Sequence, residues 1–374
     1  MSRIAGRREG GPGVGRLALL LVLVGALVVA PGCSSITDGG GDGGGAGPSN
    51  DPALDVVPSG VDAVFYADVN GAVADQQLRT VANALYGLSD SGPQSVDEAI
   101  TRMEANTSLT VEDLEAVTAY GTTNASSVEE GYGAMVVSAD WSLQTVVKEI
   151  ENSSDITMEA TTFQGKSFWR PGTGESGQAV SEGSYVGKLS ETRFVVGSET
   201  AVKDALRVAT GNAEAFSGTV RTAFENTRAD SYVRYAATVP QGRVDPGEQI
   251  GQNAAVFDKV TLVSGSQYVA GGEIGLNTTM TFESASAASD AASVIDGSVS
   301  VFRGMYASSN STKALVSEEN LTIRTDGTDL TVTVTNTPST ITTAFEQLYQ
   351  LFASFGQQGG ASTRAPPAAA LASA

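Results

Sequence analysis

One cysteine, Cys33, stands just beyond a thirteen-residue apolar run, and the other 373 of the 374 residues contain no second one. The chain therefore has no intramolecular disulfide, no thiolate metal cluster and no CxxC redox pair to hold it together. Whatever folds must do so by burying apolar surface. Hydrophobic residues make up 41% of the chain, enough for one or two ordinary globular cores.

The surroundings of Cys33 read as an export signal. Arg3, Arg7, Arg8 and Arg16 stand against Glu9 in the first sixteen residues, followed by Leu17–Val29 (LALLLVLVGALVV) without a charge. That run is too short to span a bilayer comfortably and has the charged and apolar regions of a secretory signal. Ala30-Pro31-Gly32-Cys33 then looks like a lipobox, although the usual Leu three residues before the cysteine is Ala30. Ala30-x-Gly32 would also suit an ordinary signal peptidase cutting at the same bond. An unpaired thiol on an exported protein is a liability unless modified, which favours lipidation of Cys33. Arg7-Arg8 admits a twin-arginine route, while Glu9-Gly10-Gly11 departs from its usual continuation, so the route stays open between that and the general secretory one. Residues 1–32 are thus expected to be a lipoprotein-type signal peptide. Residues 33–50 would be the lipidated cysteine and a glycine-rich tether (SSITDGGGDGGGAGPSN after Cys33), reaching roughly 20–25 Å.

Charge and missing residue types narrow the chemistry. The chain has 22 Lys+Arg against 42 Asp+Glu and no histidine, a net charge of −20. Without histidine there is no Ser-His-Asp triad, no Cys-His pair and no imidazole-ligated zinc. Six lysines, sixteen arginines and dispersed carboxylates, with no run of five like charges, resemble the surfaces of halophilic proteins. At molar salt a Debye length of about 3 Å screens such crowding. A nucleic-acid partner would meet a field of its own sign and is not expected.

Residues 51–356 carry the folding pattern, and 357–374 read as a disordered tail. Period-2 segments predict strands at 62–69, 115–122, 132–139, 157–163, 166–170, 184–189, 192–196 and 231–239. Further strands are expected at 259–264 and 268–282, and at 321–324 and 330–335 around the hairpin signal Thr325–Asp329. Helical periodicity is clearest where Leu78, Val81, Ala82 and Leu85 share a face, then at 96–105 and 142–151. It returns at 199–210, with Ser198 as N-cap and Gly211 as terminator, and at 284–302 and 340–355. The expected fold class is α+β: two similar units of antiparallel strands with packed helices, at 51–215 and 216–356.

Val57-Pro58 leading into Asp62–Asp68 (DAVFYAD), and Arg193–Ser198 (RFVVGS) leading into AVKDALRVATG at 201–211, carry a family likeness. The chain resembles haloarchaeal surface lipoproteins of a domain-of-unknown-function group. The likeness covers about 30 residues. It implies a location and a fold class, and no activity.

Other motifs dissolve on inspection. Ala160–Ser167 (ATTFQGKS) nearly matches a phosphate-binding loop, but its continuation is a strand, and Gln164-Gly165 reads as a hairpin turn. Gly172–Gly177 fits GxGxxG formally, with no helix to follow in a chain holding 43 glycines. Asp326 and Asp329 are too few oxygens for calcium, and Trp141 and Trp169 are read as core. No catalytic residue, metal site or cofactor is expected. N-x-[ST] sequons at Asn106, Asn124, Asn152, Asn277, Asn310 and Asn320 are candidate glycosylation sites.

These features favour a lipid-anchored, exported surface protein that binds or scaffolds an envelope partner or ligand without catalysis. The membrane would be met through the lipid on Cys33. A transporter's substrate-binding lipoprotein is the alternative, and a carboxylate-based hydrolase the second alternative.

Overall fold

A computed structural model describes residues 54–88, 92–122, 131–154, 156–172, 184–240, 252–305 and 314–347. The signal segment, Cys33, the tether, the tail, Asn124 and Asn310 lie outside the described residues. So does most of the GxGxxG stretch, from residue 173 onward.

The described chain opens on a 3-10 turn, Leu54–Val56, and strand β1 (Ala63–Asp68). Helices α1 (Val69–Ala74), α2 (Gln76–Gly87) and α3 (Val96–Asn106) follow, then β2 (Leu114–Gly121), β3 (Gly133–Ala139) and α4 (Leu143–Ser154). Next come β4 (Met158–Phe163), β5 (Lys166–Pro171), β6 (Tyr185–Lys188) and β7 (Arg193–Gly197), then α5 (Glu199–Ala209) and α6 (Thr219–Glu225). The remainder is β8 (Val233–Thr238), a 3-10 run at Gln252–Lys259, β9 (Val260–Ala270), β10 (Glu273–Phe282), α7 (Ala285–Met305), β11 (Leu321–Asp326), β12 (Asp329–Asn336) and α8 (338–347).

Helix starts follow their polar caps. Asp75 accepts from the Gln77 and Leu78 N–H groups at the head of α2. Ser95 accepts from Glu98 N–H at the head of α3, while the Glu98 carboxylate returns to Gln94 N–H. Turns follow their glycines. Gln164 (φ 52°) and Gly165 (φ 75°) both occupy the left-handed region, as a two-residue hairpin loop requires.

All twelve strands join one sheet, ordered β11-β12-β10-β9-β8-β1-β2-β3-β7-β6-β5-β4. Every pairing is antiparallel. The fold is α+β, antiparallel strands with packed helices. Strands from the first half of the sequence fill one end and strands from the second half the other, joined where β1 pairs with β8. At that junction Ala236 and Leu262 share an apolar cluster with Val64.

Alternation sorts side chains onto two faces. On the front, Ala67, Val117, Val137, Phe194 and Val196 pack under α1–α4. Farther along the front, α7 covers Phe282, Leu330 and Val332, and Ile341 of α8 meets Ile274. On the back, Val64, Val136, Val195 and Phe168 pack under α5, α6 and the 54–56 turn. Among the described residues the back is the less covered side.

One expectation needs correction. The strand break expected at Gly265–Gln267 does not exist: β9 runs through Gly265, and the turn is Gly271-Gly272, both at positive φ. A Cβ on Gly265 would lie 2.4 Å from the Tyr235 hydroxyl oxygen, so this glycine makes room for a ring rather than a bend. The short helices α1 and α6, too brief for a periodic signal, went unforeseen.

Candidate functional site

The first described residues lie on the back face. Leu54 is fully buried and Val56 nearly so, in the same apolar cluster as α5. The following backbone is pinned beside them: Phe216 N–H donates to Val57 O at 2.7 Å, and Ser59 N–H to Glu214 O at 3.1 Å.

Helix α5 is amphipathic by composition. Ala201, Val202, Ala205 and Leu206 are completely buried. The small side chains let the helix sit close, and Gly187 of β6 completes the fit, since a Cβ there would be 3.0 Å from Leu206 Cδ1. Its outer side carries Glu199, Lys203, Asp204 and Arg207. Glu199 pairs with Lys203, and Asp204 with Arg207. The β4–β5 hairpin reaches over this helix. Lys203 Nζ lies 5.5 Å from the Phe163 ring and 5.6 Å from Phe168, while the Arg207 guanidinium is 5.1 Å from Phe163. Tyr185 stacks on Phe168 with centroids 5.9 Å apart.

The local electrostatics are those of paired surface charges. The hydrogen bond from Lys203, and then its charge, hold the Glu199 carboxyl below its ordinary range. Burial, and after it Glu199, raises the Tyr185 phenol. Burial dominates the rise of Tyr132, whose hydroxyl donates to Asp204 at 3.1 Å, and of Tyr120, which donates to Ala201 O at 2.9 Å. Such tyrosines stay protonated and serve as struts. The arrangement holds two ion pairs, Lys203 with Glu199 and Arg207 with Asp204, against aromatic rings. No nucleophile sits beside a base here. Among the described residues no three of His, Cys, Asp and Glu gather as a metal site would need, and no helix is long and apolar enough to cross a membrane.

Four sequons fall within the described residues. Asn106 ends α3 and Asn152 lies in the last turns of α4, both exposed. They share one corner, where Glu149 of α4 accepts from the N–H of Ser108, the third residue of the first sequon, at 2.9 Å. Asn277 lies inside the sheet on β10 and donates to Thr333 Oγ1 at 2.9 Å. Asn320 donates to Ala314 O at 2.8 Å and to Asn336 Oδ1 at 2.9 Å, Asn336 being fully buried.

The remaining singled-out residues are structural. Trp141 Nε1 donates to Thr110 O at 2.9 Å inside the front core, and Trp169 packs against the same cluster. Asp326 and Asp329 face each other across the β11–β12 turn, and Asp329 accepts from Thr281 Oγ1 at 2.7 Å. The 160–167 stretch is the β4–β5 hairpin, with no helix behind its turn. The aromatic–cation corner was missed in the sequence. Its signal was there in Phe163 and Phe168 flanking a tight turn, and in Lys203 and Arg207 spaced one helical turn apart.

No family model and no curated protein matches the chain. Among solved structures it is similar to crystal form III of TP0453, at a TM-score of 0.42 and 11% identity over 81% of this chain and 99% of that one. Crystal form IV of TP0453 matches at 0.41 and 12% identity over 78% and 96%. Crystal form I matches at 0.38 and 13% identity over 82% and 99%. Likeness this distant carries no argument about activity.

Proposed function

We propose that the chain is exported, lipid-modified at Cys33 and held at the outer face of the cell membrane, where its body binds or scaffolds an envelope partner without catalysis. One observation carries the reading. The single cysteine of the chain follows a charged and then apolar leader and precedes a glycine-rich stretch, and Leu54, soon afterwards, is fully buried. The antiparallel sheet supports scaffolding over solute capture. Transporter-type binding proteins build two lobes from alternating βαβ units, and among the described residues every strand pairing is antiparallel. A high-salt surroundings fits the excess of carboxylates.

The test is Cys33→Ser in the full chain, followed by fractionation and intact mass. The protein should appear in the medium or remain unprocessed, while the parent, extracted from membranes, begins at Cys33 with added lipid mass. Undiminished membrane retention of the variant would sink the reading.

A further inference from the structure

Strand β4 ends the sheet among the described residues, and its outer side pairs with no other strand there. Its hairpin partner fixes which backbone groups face outward. Gly172 N–H donates to Thr157 O at 2.7 Å. By alternation Glu159, Thr161 and Phe163 likewise turn their N–H and C=O groups toward β5, while Met158, Ala160 and Thr162 turn theirs away. Glu151 of α4 accepts from Met158 N–H at 2.7 Å and closes that end. Ala160 and Thr162 are left, their donors and acceptors placed symmetrically about Thr161. The run from Glu159 to Thr162 is exposed throughout. Sheet edges are commonly guarded by proline, lysine or a bulge, and β4 has none of the three.

We propose that β4 pairs antiparallel with β4 of a second copy of this chain, about a two-fold axis through Thr161, making one continuous sheet. In that register Ala160 of each copy faces Thr162 of the other, and the two pairs exchange backbone hydrogen bonds in both directions. Thr161 faces its own equivalent, a cross-strand pair that sheets favour. Glu159 faces Phe163 of the second copy. The row across the back then reads Arg170, Glu159 and the second copy's Phe163 and Lys166, so no like charges meet at the seam. The strand also lies where this acidic chain repels itself least. Residues 158–207 hold six acidic and six basic residues, the rest of the chain thirty-six and sixteen. The other end strand, β11, is guarded by the exposed Arg324 in its middle. A seam of one strand pair buries little area, so the dimer is weak and strengthens as salt screens the remaining negative charge.

The test uses the full chain in mild detergent and molar potassium chloride. Thr161→Cys places a thiol on the two-fold axis, where facing Cα atoms lie about 4.5–5.5 Å apart, within reach of a disulfide. Thr162→Cys is equally exposed but lies about 8 Å from its equivalent, too far to bridge. Mild oxidation should therefore join two copies of Thr161→Cys, at least about tenfold more than two of Thr162→Cys. The joined peptides are identified by mass, which separates the introduced thiol from Cys33. Sedimentation of the parent should show a monomer–dimer equilibrium that strengthens with salt. Thr161→Lys, setting two ammonium groups face to face, should weaken it about fivefold. Thr162→Pro should abolish it, because β5 does not use that N–H. If Thr162→Pro loses its native near-UV spectrum, Thr161→Lys and the two cysteine variants decide. A parent that stays monomeric at every concentration and salt overturns the proposal. A dimer that joins equally through Thr162→Cys, or that Thr161→Lys leaves intact, overturns it as well.

Discussion

Arg234 holds Phe224 in two ways at once: its Nη2 donates to the Phe224 carbonyl oxygen at 3.0 Å, and its guanidinium lies 4.3 Å from the centre of the Phe224 ring. Its Nε also donates to Thr227 Oγ1 at 2.8 Å. A nearly fully buried cation on β8 thus closes the last turn of α6, a helix of seven residues too short to stand alone. Arg234→Met should take one donor from the Phe224 carbonyl, which keeps those of the Thr227 N–H and hydroxyl, and remove the donor to the Thr227 hydroxyl, destabilising the protein by about 1–3 kcal/mol. Arg234→Lys should recover less than half of that, because an ammonium cannot reproduce the planar fork. Denaturant midpoints decide both.

Tyr268 lies flat across Gly275 on the neighbouring strand, and Arg228 covers the ring's other side at 4.1 Å. A Cβ on Gly275 would sit 2.2 Å from Tyr268 Cζ, so Gly275→Ala must push the ring off its seat. The expected cost is about 1–3 kcal/mol. Adding Tyr268→Ala should cost less in the Gly275→Ala background than in the parent, a coupling that a double-mutant cycle measures.

Burial raises the Tyr120 phenol well above the value near 10.0 from which it starts. The folded form therefore keeps a proton that the unfolded chain gives up, so this contribution is complete below about pH 10 and falls as pH rises beyond it. Chemical denaturation between pH 8 and 11.5 should show the alkaline decline. Tyr120→Phe should flatten its slope while lowering neutral-pH stability by about 1 kcal/mol through the lost bond to Ala201 O. An unchanged slope would rule Tyr120 out as the cause.

Of the four described sequons, geometry favours two for modification of the folded protein. Asn106→Gln and Asn152→Gln should each remove one glycan mass and leave stability within about 0.5 kcal/mol. Asn277→Gln and Asn320→Gln should remove none, and both should lower the thermal midpoint, since their amides hold Thr333, Ala314 and Asn336 in place. Intact mass of the four variants checks this directly.

Much of the fold was legible in local chemistry. The Gln164-Gly165 turn, the helix through Leu78, Val81 and Ala82, and the Gly211 terminator at φ 72° follow from backbone sterics and 3.6-residue periodicity. What was not legible is non-local. Gly265 looks like a turn residue until Tyr235, thirty positions earlier, is seen lying over it. The order of strands was equally hidden, because nothing near β1 marks β8 as its neighbour. The candidate corner combines both cases: hairpin and helix were each foreseen, and their contact through Phe163 depends on the sheet that brings them together.

The central position of β1 has a bearing on the order in which the sheet can close. The strand made first is completed on one side only by β8, with Thr238 N–H donating to Asp62 O at 2.8 Å, a pairing of residues 176 positions apart. Closing so long a loop delays that edge until most of the polypeptide has emerged. A chain built in this order leaves the middle of its sheet open until β8 is available to pair with β1.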